Sequence, residues 1–326
     1  MINFNQLRNF YQVAKNLNFT VAANKLYITQ PAVSAQIKLF EDYCKLKLFK
    51  KKGRKIYLTD EGEALYSYAR KIFEYEREIE SAIEDMRELK RGILRLGTTK
   101  TYARYFMPFL ISTFHDAYPH IKINLDEGSS LDMTNSLLDF INELAIIVKV
   151  EENPDICFIP FSQEEMLVIL PPDNHLTLKK TISINDLARE TIIMKEKGSG
   201  TRKLVSELFA KKALTPNILM ETSNTEFIKQ LVQRGDGISF LVKAAVAIEL
   251  REKKLATVSM EGQKIFLDVS IAYLKDQHLS PSAQAFLHIL LKLSPKEKAL
   301  RGIGSLMDKI MAQEKGLNLP LEKRLR

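Results

Sequence analysis

The sequence predicts an α/β chain of more than one domain: a small, basic, helical unit followed by a larger body of alternating strands and helices. Three observations carry this reading. The 326 residues exceed what one hydrophobic core serves. The first sixty residues hold eleven Lys/Arg against Glu41, Asp42 and Asp60, so the net charge of +8 resides there and the remainder sums to zero. From residue 92 to 293, β-like apolar runs alternate with helical ones. A content of 45% hydrophobic and 27% charged residues fits a soluble globular protein, and no apolar run approaches the ~18 to 20 residues of a membrane span. The start "MINFNQLRNF" lacks the basic and apolar segments of a secretory signal. Cys44 and Cys157 lie far apart and read as core filler, so a cytoplasmic setting is expected.

Leu7, Phe10, Tyr11, Val13 and Ala14 recur at helical spacing between Phe4 and Leu17. "NFTVAANKLY" predicts a short second helix with Thr20 as N-cap and Ala22, Ala23 and Leu26 inward. In "ITQPAVSAQIKLFE", Thr29 is a cap, Pro31 is tolerated in the first turn, and Val33, Ile37 and Phe40 form an inward stripe. The opposite face carries Gln30, Ser34, Gln36 and Lys38. Short amide and hydroxyl side chains let a helix enter a major groove and pair with base edges, which predicts a helix-turn-helix; a plain structural three-helix unit is the alternative. "LFKKKGRKIYLT" clusters Lys50, Lys51, Lys52, Arg54 and Lys55 around Gly53 and predicts a small β-wing whose cations meet phosphates, against the alternative of a solvated turn. Double-stranded DNA is the partner this unit implies.

The stretch from Thr59 to Gly92 contains no proline, and Leu65, Tyr68, Ile72, Tyr75, Ile79, Ala82, Met86 and Leu89 stand three and four residues apart. That spacing predicts a long helix pairing with a second copy, a homodimer that would present two recognition helices to two half-sites. Packing on its own chain is the other reading.

In the body, "ILRLG", "IKINLDE", "LAIIVK", "TIIMK" and "NILMET" read as strands. Four of them lead into helices, including one expected across "YARYFMPFLISTFHDAY". Largely parallel sheets in two lobes follow. The strand-to-helix joints "TTKT", "GSS", "GSGT" and "TSNT" are rich in hydroxyls and Gly. Helix N-termini there would favour an anion between the lobes, although Ser and Thr cap helices everywhere.

On "LRNFYQVAKNLNFTVAANKLYITQPAVSAQIKLFE", "GRKIYLTDEG" and the "QPAxSxQI" core from Gln30 to Ile37, the chain resembles the LysR-type transcriptional regulators. The resemblance implies a winged helix-turn-helix over 1–59, a dimerisation helix over 60–91, and a two-lobed effector domain, like periplasmic binding proteins, over 92–293. Lobe one would comprise 92–161 and 266–293, and lobe two 162–265, with crossings near Phe161 and Lys264. It gives Gln30, Pro31 and Ser34 the base-facing role, with Gln36 and Lys38 beside them, and Lys51, Arg54 and Lys55 the wing contacts. For a small anionic metabolite it points to Thr99, Lys100, Thr101, Ser129, Thr201 and Thr222, with Arg202 as a further cation. A homotetramer, and RNA polymerase as a further partner, are also implied.

Ala35 stands where relatives commonly have Arg, which puts direct base readout by that position in doubt, and Glu143 replaces a more usual Asp. "TTKTYARY" is like the sulfur-metabolism branch, whereas "KGSGTR" is widespread among carbon-metabolism regulators. Residues 294–326 exceed the usual family length; Leu300, Ile303, Leu306, Met307 and Ile310 predict one amphipathic helix there. Five histidines without metal-ligand spacing, no P-loop and no GxSxG elbow leave no visible catalytic apparatus, and no cofactor is called for. A small-molecule-binding protein or enzyme carrying an accessory nucleic-acid-binding domain is the alternative function.

Overall fold

The computed structural model describes residues 1–293 except Arg54 and Gln263; the C-terminal helix expected beyond residue 293 lies outside them. The chain divides into two compact units, Met1–Arg87 and the residues from Glu88 onward.

In the first unit, α1 (Phe4–Asn16) is capped by Asn3, and α2 (Phe19–Leu26) by Asn18 rather than Thr20. The Asn18 side chain reaches the N–H groups of Thr20 and Val21, so the helix starts two residues earlier than expected. Thr29 caps α3 (Gln30–Cys44), with Pro31 in the first turn where its missing N–H leaves no bond unmade. Phe10, Val13, Ala22, Ala23, Val33, Ile37 and Phe40 bury against one another, the alanines letting the helices approach closely. Strands β1 (Phe49–Lys52) and β2 (Lys55–Leu58) pair antiparallel from Phe49↔Leu58 to Lys52↔Lys55. Gly53, at φ +61, takes the left-handed turn between them. Glu41 ties the wing to α3: its carboxylate accepts the Leu48 and Phe49 N–H groups at 2.8 and 3.3 Å and pairs with Lys47 at 2.9 Å.

Thr59 accepts the Gly62 N–H at the start of α4 (Asp60–Arg87). Ala69 and Phe73 join the unit's core, with Phe73 and Tyr66 stacked on Tyr11. Both ends of the expected seam fall away from it. Leu65 packs on the unit's own core, whereas Leu89 turns left-handed at φ 59 and packs on the core of the second unit.

The second unit begins with β3 (Gly92–Thr99), α5 (Lys100–Tyr105), α6 (Met107–Ala117), β4 (Ile121–Gly128), α7 (Ser130–Leu138) and β5 (Leu144–Val148). The single helix expected over 102–118 is broken at Phe106, because Pro108 lacks the N–H that would continue α5 and instead sits in the first turn of α6. Next come the long β6 (Ile156–Leu170), β7 (Thr181–Ile182), α8 (Ile184–Leu187), β8 (Thr191–Lys195), α9 (Gly200–Ala210), β9 (Asn217–Thr222) and α10 (Thr225–Gln233). The described residues end with β10 (Ser239–Val242), α11 (Lys243–Arg251), β11 (Ala256–Thr257), β12 (Ser259–Met260), β13 (Ile265–Leu274) and α12 (Pro281–Leu293). Glu143 anchors the approach to α12 by accepting the Ser280 N–H and hydroxyl at 2.8 and 3.0 Å.

The main sheet runs β10-β6-β13-β5-β3-β4, with β11 also on β6. Only β3 with β4 and β5 is parallel in it, so the sheet is mixed rather than largely parallel: β6 and β13 traverse the unit in opposite directions. β8 and β9 form a separate parallel pair. Two large cores result. One gathers Leu96, Phe106, Phe114, Ile146, Phe161 and Phe286; the other gathers Val168, Ile192, Met194, Val205, Phe209 and Phe240. β6 leaves the first at Phe161 and enters the second at Met166, and a bulge places Ser162 opposite Val269 but Pro160 opposite Ser270. β13 returns between Leu267 and Val269, a few residues beyond the expected Lys264, because both side chains point inward across the exposed Asp268 and enter different cores. Cys44 and Cys157 are half-buried and not in a disulfide.

Candidate functional site

The two units carry different candidate surfaces. On α3, Val33, Ile37 and Phe40 are buried, which turns Gln30, Pro31, Ala35 and Lys38 outward, with Ser34 and Gln36 half-exposed. Gln30 donates to the Ser34 hydroxyl at 2.8 Å, so these two side chains act as one polar patch. Pairing of Lys51 with Ile56 and of Lys52 with Lys55 sets exposed cations along the wing. Arg54 lies outside the described residues. The arrangement suits a helix reading base edges beside a loop contacting phosphates. Along α4, Tyr68, Ile72, Tyr75, Ile79, Ile83 and Met86 remain exposed, forming an apolar stripe.

The second unit holds a cavity between its two cores, with about 600 Å³ of empty space including the part open to solvent. Of the residues expected there, Thr99, Lys100, Thr101, Ser129 and Thr201 line it. Thr222 is not in the lining; its hydroxyl accepts the Asn224 N–H at 3.2 Å ahead of α10. Thr99 and Ser129 also cap α5 and α7, so their hydroxyl oxygens are engaged with their own helices while their O–H groups remain able to donate. At α9, by contrast, Ser199 makes no side-chain cap bond. Arg202 is held by Glu221 at 2.8 Å.

Two sets of contacts close the cavity. On one side the Leu131 N–H donates to the Gly198 carbonyl at 3.1 Å, and Gly200 sits against Val148 so closely that a Cβ would stand 2.4 Å from that side chain. Gly198, at φ +82, takes a left-handed conformation beside Ser129 and Leu131. On the other side Lys100 donates to Ser223 Oγ at 2.7 Å, Arg104 pairs with Glu226 at 3.2 Å, and Tyr105 donates to Glu226 at 3.2 Å. Tyr102 joins the cavity wall to the crossing strand, its hydroxyl 2.6 Å from Glu164 and 2.7 Å from Ser162. Burial, then the Glu164 charge, pushes this phenol well above its ordinary pKa.

The sequence reading missed Lys195. It ends β8, is 6% exposed, lines the cavity and donates to the Ser223 carbonyl at 2.6 Å and Thr225 Oγ1 at 3.3 Å. Burial pushes its pKa below the ordinary lysine range, with Glu196 acting in the other direction. Its only sequence signal is a cation at the carboxyl end of a strand, in "TIIMKEKGSG". The lining combines hydroxyls, two ammonium groups and an uncapped helix end with one carboxylate, Glu196, a balance of donors suited to holding an anion. Among the described residues no group of three His, Cys, Asp or Glu could hold a metal ion, and no helix is long and apolar enough to cross a membrane.

A helix-turn-helix with a basic wing, joined to a two-lobed body closed around a cavity of donors, defines a DNA-binding regulator that responds to a small ligand. The profile described as bacterial regulatory helix-turn-helix protein, lysR family, matches residues 4–63, and that of the LysR substrate binding domain matches residues 87–294. The chain belongs to the LysR family of transcriptional regulators. It is 36% identical to the HTH-type transcriptional activator CmpR of Synechocystis sp. over 285 residues, covering 87% of this chain and 93% of the relative. It is 32% identical to the RuBisCO operon transcriptional regulator of Allochromatium vinosum, covering 89% and 96%. The regulatory domain of CcmR from Synechocystis PCC6803, solved in complex with 2-PG, superposes with a TM-score of 0.59 at 30% identity, covering 63% of this chain and 99% of that one.

Proposed function

We propose that this regulator binds promoter DNA in the cytoplasm as a homodimer joined along the α4 stripe, with dimers pairing into a tetramer, and that a small anionic metabolite between the lobes sets its activity. The observation that carries the reading is the convergence of Thr99, Lys100, Thr101, Ser129 and Thr201 on one interlobe cavity. Gln30, Pro31, Ser34, Gln36 and Lys38 read bases; Lys51, Arg54 and Lys55 hold the phosphate backbone. Residues 1–59 form the reading domain, α4 the dimer arm, and 92–293 the effector domain, with RNA polymerase the partner that activation would engage. The chain acts by binding and not by catalysis, a reading supported by its curated relatives, which are named as regulators.

A ligand controls such a protein only through unequal affinity for two lobe arrangements. The relatives named for the RuBisCO operon and the 2-PG complex of CcmR favour anionic carbon metabolites over sulfur compounds. A thermal-stability screen of carboxylates, phosphates, sulfur compounds and nucleotides, followed by footprinting with each hit, tests this. The expected result is an anion that raises Tm and alters the footprint; stabilisation only by uncharged compounds would contradict it.

A further inference from the structure

Two ammonium groups that line the cavity converge on one residue, Ser223, at the edge of the adjoining open cavity, and among the described residues a single carboxylate pairs with them. Lys100 reaches Ser223 Oγ at 2.7 Å, and Lys195 reaches the carbonyl of the same residue at 2.6 Å. Both lysines line the interlobe cavity. The nearest carboxylate to Lys195 is Glu196, at 3.5 Å, the outer limit of a hydrogen bond. No carboxylate among the described residues pairs with Lys100, which spends one of its three N–H donors on Ser223. The other nearby cations are matched, Arg104 by Glu226 and Arg202 by Glu221. Glu127 and Glu226 do not line this cavity but the open one that adjoins it at Lys100, together with Ser223 and Thr225, the residues that Lys195 reaches.

The charges can be counted. Two ammonium groups less Glu196 leave one positive charge, and the N-terminus of α9, which no side chain caps, adds roughly +0.5. A wall carrying about +1.5 is underfilled by a monocarboxylate and is matched by a head group of about −1.5 to −2, the charge of a phosphate monoester near neutral pH. Burying an ammonium as deeply as Lys195 is unfavourable unless a counter-charge meets it, so the occupant that removes the mismatch is favoured over one that leaves it.

Building on the proposed anion site, we infer that Lys100 and Lys195 form a receptor for a doubly charged oxyanion head group, and that Lys195 sets the preference for dianions over monoanions. The hydroxyls of Thr101 and Thr201 and the α9 terminus supply further donors; the lysine pair supplies the charge discrimination.

The test uses the full-length protein and bare head groups, sulfate and inorganic phosphate against acetate and formate, titrated at constant ionic strength by calorimetry and by thermal shift. The dianions should half-saturate at a concentration about tenfold lower than the monoanions, and Lys195→Met should remove that preference while Lys195→Arg retains most of it. Lys100→Gln, at a half-exposed position, should shrink it in the same direction and guards against misfolding of the buried variant. Equal binding of both classes by the wild type, or a preference unchanged in Lys195→Met and Lys100→Gln, overturns the inference. Stabilisation by sulfate through exclusion from the surface would be identical in every variant and counts against it equally. If both anion classes bind and depend on Thr101 but not on Lys195, the anion site stands and only the lysine assignment falls. If no anion binds, the proposed effector site falls with it.

Discussion

Glu41 shows how much one side chain decides in a small unit. Its carboxylate holds two backbone N–H groups of the wing, and replacing it with Ala should destabilise the unit by about 2–3 kcal/mol in urea denaturation, because those donors are left buried or poorly solvated. Burial pushes its pKa up, but hydrogen bonds from Lys47, Leu48 and Phe49 outweigh this and hold it below the usual carboxylate range. The stabilisation is therefore complete above the unfolded value of about 4.3 and is lost as pH falls through the lower folded value. Between pH 5 and 3 the wild type should lose stability more steeply than Glu41→Gln; parallel curves would contradict the assignment. On α3, Ser34→Ala should narrow the affinity gap between operator and mismatched sequences by about 1–3 kcal/mol, and an unchanged ranking in competition binding would remove Ser34 from the reading face. The placement of Ser34 away from the buried stripe was legible because a short hydroxyl opposite apolar residues is conspicuous on a helix. Glu41 and Lys195 were not: one sits in the charged run "FEDYCKLKLF" and the other follows a strand, and nothing local distinguishes a buried charge from a solvated one.

Elements were readable where burial leaves a period. The α4 stripe kept its spacing from Tyr68 to Ile79 and at Met86, where the residues face away from their own core; Ile83 rather than the expected Ala82 is exposed between them, and the period failed at Leu65 and Leu89, which each face a core. β6 was hidden by Pro160 and the polar triplet from Gln163 to Glu165, since a strand passing from one core to another need not alternate regularly. Ile79→Lys should break the proposed tetramer into smaller species in sedimentation at micromolar concentration, with little change in helix content, if the stripe is the dimer seam. Gly200→Ala places a Cβ against Val148 and should prop the lobes apart, weakening anion binding at least about tenfold; Val148→Ala in the same chain should restore it. A doubly substituted protein as weak as Gly200→Ala alone would show that this contact does not control closure.

At the scale of the molecule, charge and chemistry are partitioned: the net charge of +8 sits in the first sixty residues, which suit a polyanion, while the remaining residues sum to zero and the second unit holds a donor-bearing cavity. The partition was legible in the sequence because charge location needs no tertiary contact, and so was the two-lobed body, because alternation of strand and helix survives any packing detail. The mixed sheet was not, since strand direction is set by the two crossings and not by the composition of either strand. Thr222 was misplaced for a similar reason: a joint rich in hydroxyls marks a helix start, but not which starts converge. The most direct measurement of the whole account is quantitative footprinting of the full-length protein on promoter fragments against random duplexes, near 0.15 M salt, with and without the anion that stabilises it. The account predicts two protected half-sites on the promoter, a spacing or occupancy changed by the anion, and no such change in Lys195→Met. Equal affinity for promoter and random duplex, or a footprint indifferent to every anion that binds the cavity, would contradict it.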